Sequence, residues 1–342
     1  MGYLGQIQAA QGRLSLAEST WMDVLAYAKE NGVERDAFFN VAYIGLGSLA
    51  YERNDMETAE RWLREGISLA RSWAAWQGLV PGYTALALTL QAKGDVQGAV
   101  EALDILKRYQ QSAPQMILPA EAACRALLWS RQGKPELGIA LMQKLKSHGL
   151  PQDLIFAEVL TAAKDLDEAE VLLERLAKES EEGGMEGHLV RIMALKAKVL
   201  LAKNQLDLAQ TAIEKALLLG EKEGYLRAYL DLGEAIVLLL RRVDLPNLAD
   251  YRARLLTAFS QASLSPGSVS EQANAGLPEP LTSREMEILL RIAQGADNAA
   301  LAAEYTISIN TVKKHISHLF EKLDAGNRFQ AIEKARRLGL LP

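Results

Sequence analysis

The chain is 342 residues long, 49% hydrophobic and 24% charged, with a formal net charge of −5. This suits a soluble globular protein of two or three domains, or one long repeat array plus a small domain, and no apolar run approaches the ~20 residues that cross a bilayer. The N-terminus "MGYLGQIQAAQGRLSLAEST" lacks the layout of a secretion signal, and the single cysteine, Cys124, excludes an intramolecular disulfide, so a cytoplasmic location is expected.

In chain order, the first 220 residues repeat one short phrase. It reads "GRLSLAES" from Gly12, "NDMETAER" from Asn54, "GDVQGAVE" from Gly94, "GKPELGIA" from Gly133, "KDLDEAEV" from Lys164 and "NQLDLAQT" from Asn204. Each copy has a turn-forming or polar start, an apolar residue two positions on (Pro135 in the fourth copy) and a small residue five positions on. The small residues, Ala17, Ala59, Ala99, Gly138, Ala169 and Ala209, are spaced by 42, 40, 39, 31 and 40. Such self-similarity predicts stacked helix–turn–helix units, in which the polar start ends one helix and the small residue lets the next pack closely. The flanking segments are amphipathic: in "AERWLREGISLAR", Ala59, Trp62, Leu63 and Ile67 recur at helical spacing among Arg, Glu and Ser. No strand-like alternation of useful length occurs, so the expected class is all-α. The repeats resemble tetratricopeptide (TPR) repeats lengthened from ~34 to about 40 residues.

Residues 221–260 are expected to close the array with a helix pair, roughly "GYLRAYLDLGEAIVLLLRRV" and "PNLADYRARLLTAFS". Residues 261–280, "QASLSPGSVSEQANAGLPEP", are rich in Ser, Pro, Gly and Ala without periodicity and predict a flexible linker. As a coil this linker would span roughly 25 Å r.m.s..

Residues 281–342 carry nine Lys/Arg against seven Asp/Glu, whereas the remainder carries 29 against 36. The tail is modestly basic on an otherwise acidic chain. Thr282 to Glu285 reads as a capping box opening the helix "SREMEILLRIAQG", with Ile288, Leu289 and Ile292 inward. Asp297 is placed to cap a second helix with Leu301 and Ala302 on its core side, Ser308 to cap a third, and Asn327 with Gln330 to start a fourth that stops at Gly339. The short turn between the second and third predicts a helix-turn-helix. On the third helix, Val312, Ile316, Leu319, Phe320 and Leu323 form a core-facing stripe. Lys313, Lys314 and Ser317 lie opposite, Thr311 and His318 at that face's edge, His315 at the border of the stripe, and Glu321 further along the outer face. Lysine, Ser and Thr at the start of a helix are groups that hold phosphate and base edges.

The segments "LTSREMEILLRIAQG", "TISINTVKKHISHLFEKLDAGNR" and "QAIEKARRLGLL" resemble, in order and spacing, the DNA-binding domain of LuxR-type transcription regulators. The resemblance covers Leu281 to Leu341. It implies a four-helix domain whose third helix enters the major groove of double-stranded DNA. Carried over by position, it gives Thr311, Lys313, Lys314, His315 and Ser317 as the contact set, and Ala331, Ala335 and Leu338 as a dimerisation contact on the fourth helix. Two positions depart from the family: Asn298-Ala299-Ala300 stands where Asn-Lys-Glu is common, and Ser317 where a basic residue is frequent. Both imply weak intrinsic affinity.

With the array upstream, the chain resembles the C-terminal half of large MalT-like regulators. That resemblance implies a transcription regulator whose repeats sense a small-molecule inducer or a protein and control dimerisation, or higher assembly, of the tail on promoter DNA. The N-terminal half of such regulators carries an ATP-binding module. No G-x-x-x-x-G-K-[ST] occurs here, so no nucleotide or other cofactor is expected. His315 and His318 stand three apart without further ligand types nearby and predict no metal site. Trp62, Trp73, Trp76 and Trp129 are read as core, with "SWAAWQG" the exception that could line a pocket. The acidic run 178–184 reads as a solvated turn and Cys124 as core. No catalytic constellation is present, and an enzyme is not expected. The competing reading is an interaction scaffold with a vestigial tail.

Overall fold

The computed structural model describes residues 2–72, 76–109, 114–145, 149–264, 277, 279–293, 296–305, 308–338 and 340. Among these are nineteen α-helices and no strand, and contacts divide the chain into two units, Met1–Phe259 and Ser260–Pro342.

The first unit is a run of six helical hairpins. They are α1 (Gly2–Ala10) with α2 (Leu14–Glu30), α3 (Asn40–Glu52) with α4 (Met56–Ser72), and α5 (Trp76–Ala92) with α6 (Val96–Arg108). The run continues with α7 (Pro114–Arg131) and α8 (Pro135–Met142), α9 (Leu150–Ala162) and α10 (Leu166–Glu182), and α11 (Glu186–Ala202) and α12 (Leu206–Gly220). Every recurring phrase falls on a hairpin turn. Its first residue, Gly12, Asn54, Gly94, Gly133, Lys164 or Asn204, has positive φ in all six copies, between 59° and 84°. In each turn the following N–H reaches back five residues to a helix carbonyl, as in Asp55 N to Ala50 O at 2.9 Å and Asp165 N to Leu160 O at 2.9 Å. This is the Schellman closure, which consumes carbonyls that the helix end would otherwise leave bare. Gly and Asn tolerate that backbone; Lys164 adopts it at a steric cost. The small residue five positions on is buried in every copy. At Gly138 an added Cβ would stand 2.9 Å from the Ala126 carbonyl oxygen of the preceding helix.

The array curls until its early hairpins meet its last. Trp21 is wedged between Gly5 and Gly45, where a Cβ would lie within 2.4 Å of the indole, and its Nε1–H donates to the Gly2 carbonyl at 3.0 Å. Beyond it, Ser15 N–H donates to Glu223 at 2.7 Å, Leu226 N–H to the Glu52 carbonyl at 3.0 Å, and Ala228 N–H to the Glu52 carboxylate at 2.9 Å. Arg191 also pairs with Glu52. Tyr51 donates to Asp231 at 2.7 Å, and Arg227 bonds Asn54 and Asp231. One apolar cluster runs through this seam, from Leu14 and Trp21 to Leu240 and Tyr251.

The closing segment differs from the expected pair. Gly233, at φ 79°, breaks its first member into α13 (Arg227–Leu230), a single turn, and α14 (Ala235–Arg242). The break sets Asp231 against the seam instead of continuing a helix past it. The last helix, α15 (Ala249–Leu264), continues four residues beyond the expected start of the linker; residues 265–276 lie outside those described. Cys124 is core, as read, and burial pushes its thiol up to about 12. The 178–184 run is helical to Glu182, with Ser180 fully buried. Of the tryptophans, Trp62 is half-buried against Tyr43 at 5.5 Å between ring centroids. Trp73 and the Trp76 side chain, and with them the "SWAAWQG" reading, lie outside the described residues.

Beyond the end of α15, the described residues of the second unit form four helices: α16 (Ser283–Ala293), α17 (Asn298–Glu304), α18 (Ile309–Lys322) and α19 (Arg328–Arg337). Their apolar sides enclose a single core that includes Ile288, Leu289, Leu301, Val312, Leu319 and Leu323.

Candidate nucleic-acid interface

Local hydrogen bonds fix where each tail helix starts. Thr282 and Glu285 form the capping box reciprocally, with Thr282 N–H to the Glu285 carboxylate at 2.8 Å and Glu285 N–H to the Thr282 hydroxyl at 3.3 Å. Asp297 accepts from the N–H groups of Ala299 and Ala300 at 3.0 and 2.8 Å. Ser308 Oγ accepts from Thr311 N–H at 3.1 Å, and Asn327 accepts from Gln330 N–H at 3.0 Å. All four starts read from the sequence are present.

The cap at Ser308 orients α18. Its stripe of Val312, Leu319 and Leu323 is buried and Ile316 and Phe320 are half-buried, which turns the opposite side outward. Lys313, Lys314 and Ser317 are exposed there, as is His318; Thr311 and His315 are half-buried at the flanks. Neither lysine has an ion-pair partner among the described residues, so both ammonium groups are available to an external anion. The Thr311 hydroxyl is within 2.8 Å of Ser308 Oγ, leaving it with capacity for further bonds.

Three other basic residues of the tail, Lys322, Arg328 and Lys334, are engaged internally. Lys322, at the far end of the same helix, holds Glu285 at 2.9 Å, Glu279 at 3.3 Å and the Pro280 carbonyl at 3.2 Å. Burial pushes the Glu285 carboxyl up, but the Thr282 N–H, the Lys322 ammonium and the Thr282 hydroxyl together hold it below its ordinary value. Arg328 donates to the carbonyls of Ile292 and Ala296, and Lys334 to Asp324 at 2.7 Å. The free positive charge of α18 is therefore confined to its first two turns.

One surface residue escaped the sequence reading. Asn310 is exposed and, at 100° per residue, falls between Lys313 and Lys314 on the outer face. Its helical position was the available signal. Ala299 and Ala300 are exposed on α17, so the positions that depart from the family lie at the surface.

The expected dimerisation residues divide. Ala331 and Ala335 are fully buried in the core of their own domain, where their small side chains let α19 approach α16. Leu338 is 37% exposed, and Phe329, not anticipated, is 69% exposed.

Comparison with known proteins places two families along the chain. Residues 1–245 match the MalT-like TPR region, and residues 279–335 match the bacterial regulatory proteins of the luxR family. The HTH-type transcriptional regulators MalT of Yersinia pestis (strain Pestoides F) and of Serratia proteamaculans (strain 568) are each 24% identical over 97% of this chain. The chain spans 40% of the length of those relatives.

Proposed function

The chain belongs to the family defined by the MalT-like TPR region, and from that membership we propose that it is a DNA-binding transcription regulator. The observation that carries this reading is the face of α18: Asn310, Lys313, Lys314 and Ser317 exposed on a capped helix whose reverse side is locked in a core. In this reading α18 lies in the major groove, Lys313 and Lys314 meet phosphates or guanine edges, and Thr311, His315 and Ser317 complete the contact set with backbone and base.

The helical array is the sensory part, and it governs how many tails reach DNA together. One module presents few contacts, and specific affinity at physiological salt comes from paired half-sites. Two tails held on one assembly make the second contact intramolecular, worth ~10²–10⁴ in avidity where the geometry permits. Phe329, exposed on α19, supplies an apolar group for such pairing.

The test is selection of bound sequences from a random duplex pool by the full chain, followed by a salt titration on the selected site. Lys313→Ala should weaken binding and reduce the slope of log K against log salt by about one. Equal slopes for the variant and the parent would show that α18 does not dock through this face.

A further inference from the structure

The seam of the array encloses a cavity of about 260 Å³ whose two walls differ in kind. One wall is aliphatic, built from Leu88, Leu127, Leu150, Leu154 and Ile155. The other is charged, built from Arg131, Glu158, His188, Arg191, Arg227 and Asp231. His188 and Arg191 also line a neighbouring cavity of about 290 Å³ that reaches Trp21, Glu52 and Tyr225.

We propose that this chamber binds a small organic monoanion with an aliphatic body, its carboxylate directed at Arg227, Arg131 and Arg191. The proposal deepens the sensory role given to the array above by naming the class of compound it would take.

Three observations carry it. The first is unmet hydrogen-bonding capacity. Arg227 is 9% exposed, and its Nε–H, like His188 Nδ1, is buried without a partner in the structure. A buried guanidinium N–H left unpaired is costly, and an acceptor entering the cavity would relieve that cost.

The second is charge. Among the groups that line the chamber itself, Arg131, Arg191 and Arg227 stand against Glu158 and Asp231, an excess of one positive charge. A monoanion completes neutrality, whereas a dianion would crowd a second negative charge against Glu158 and Asp231. Arg131 already holds Glu158 at 3.1 Å and stands 3.6 Å from Asp231, so the site is built for planar carboxylates.

The third is the aliphatic wall. It has no hydroxyl or amide groups with which to bind a polyol, but it would accept an alkyl chain and remove it from water. The wall belongs to α5, α7 and α9, while Arg227 and Asp231 sit at α13. A ligand bridging the two would therefore fasten the end of the array to its middle.

The probe is octanoate, titrated calorimetrically into the full chain in the absence of DNA and followed in parallel by thermal unfolding. Octanoate should bind stoichiometrically and raise the unfolding temperature. Acetate, which lacks the body, and 1-octanol, which lacks the charge, should each bind at least tenfold more weakly. Octyl phosphate, in its dianionic form, should also be at least tenfold weaker. Leu154→Trp fills the aliphatic side and should abolish octanoate binding without lowering the unfolding temperature of the free protein. Arg227→Gln should weaken octanoate at least tenfold. Unchanged octanoate binding by folded Leu154→Trp would overturn the location. Equal binding of 1-octanol or of octyl phosphate would overturn the ligand class. Because no DNA is present, failure here leaves the α18 reading standing, and failure of the salt titration leaves the cavity assignment standing.

Discussion

The Glu52–Arg191 pair offers a direct test of whether the array is held closed by its seam. The Glu52 side chain is 5% exposed, and its carboxylate has two partners, the Arg191 guanidinium and the Ala228 N–H at 2.9 Å. Arg191→Met keeps the length of the side chain and removes the cation. The carboxylate is then left buried with one N–H donor, a situation that costs about 3–5 kcal/mol. For a unit of this size that is a fall of roughly 6–20 °C in unfolding temperature. The sign with pH follows from the same picture. Burial already holds the Glu52 carboxyl above its ordinary value despite Arg191, and without that guanidinium the folded state disfavours the ionised form further, so the folded pKa rises again. The folded variant then binds the extra proton, and its deficit should shrink as pH is lowered from neutrality. Adding Glu52→Gln to Arg191→Met removes the stranded charge and should recover most of the loss. Hydrogen exchange supplies the spatial readout: protection should fall at α3, α11 and α13 together. A loss below about 1 kcal/mol at pH 7, with no dependence on pH, would refute the claim that the seam holds a buried charge in place.

Other outcomes follow from particular residues. Lys164 is a non-glycine residue at φ 66° with a Schellman closure around it, so Lys164→Gly should stabilise the array by about 1 kcal/mol in denaturant titration. Gly45→Ala should destabilise by about 1–3 kcal/mol in the same assay, because its Cβ would sit 2.3 Å from the Trp21 indole. In the tail, Glu285 has its carboxyl held below its ordinary value of 4.5, so it contributes stability above that pH that is lost as pH falls through the lowered value; Glu285→Gln should flatten this acid limb in tail-specific near-ultraviolet dichroism. Ala299→Lys adds a cation at an exposed position of α17 and should steepen the salt dependence of DNA binding by about one unit in log–log slope.

Local features were the legible ones. The six turns announced themselves because a Schellman closure needs a residue that accepts positive φ, followed at fixed distance by a residue small enough for helix contact, and both requirements are written within eight residues. The tail caps were legible for the same reason, each being a side chain bonded to an N–H two or three residues away. The seam was not. Glu52, Arg191 and Arg227 read as ordinary charges near helix ends, and the partners of Glu52 lie 139 and 176 positions away. No periodicity encodes that distance, which is set by the cumulative rotation of three intervening hairpins. The expected dimerisation residues show an ambiguity of size. Ala331 and Ala335 suit a close helix contact, but small side chains serve equally within one domain and between two copies, and here they serve within. Asn310 carries no charge, so only its place on the helix marks it.

The seam also fixes how many hairpins the array can hold. An open solenoid gains or loses a repeat at little cost, since each unit touches only its neighbours. In this chain the bonds from Glu52 to Arg191 and Ala228 join the second hairpin to the sixth and to the turn beyond it. One hairpin inserted between them would carry the two sides out of register and strand Glu52 and Arg191; one removed would make them collide. The array's length is therefore a closed count.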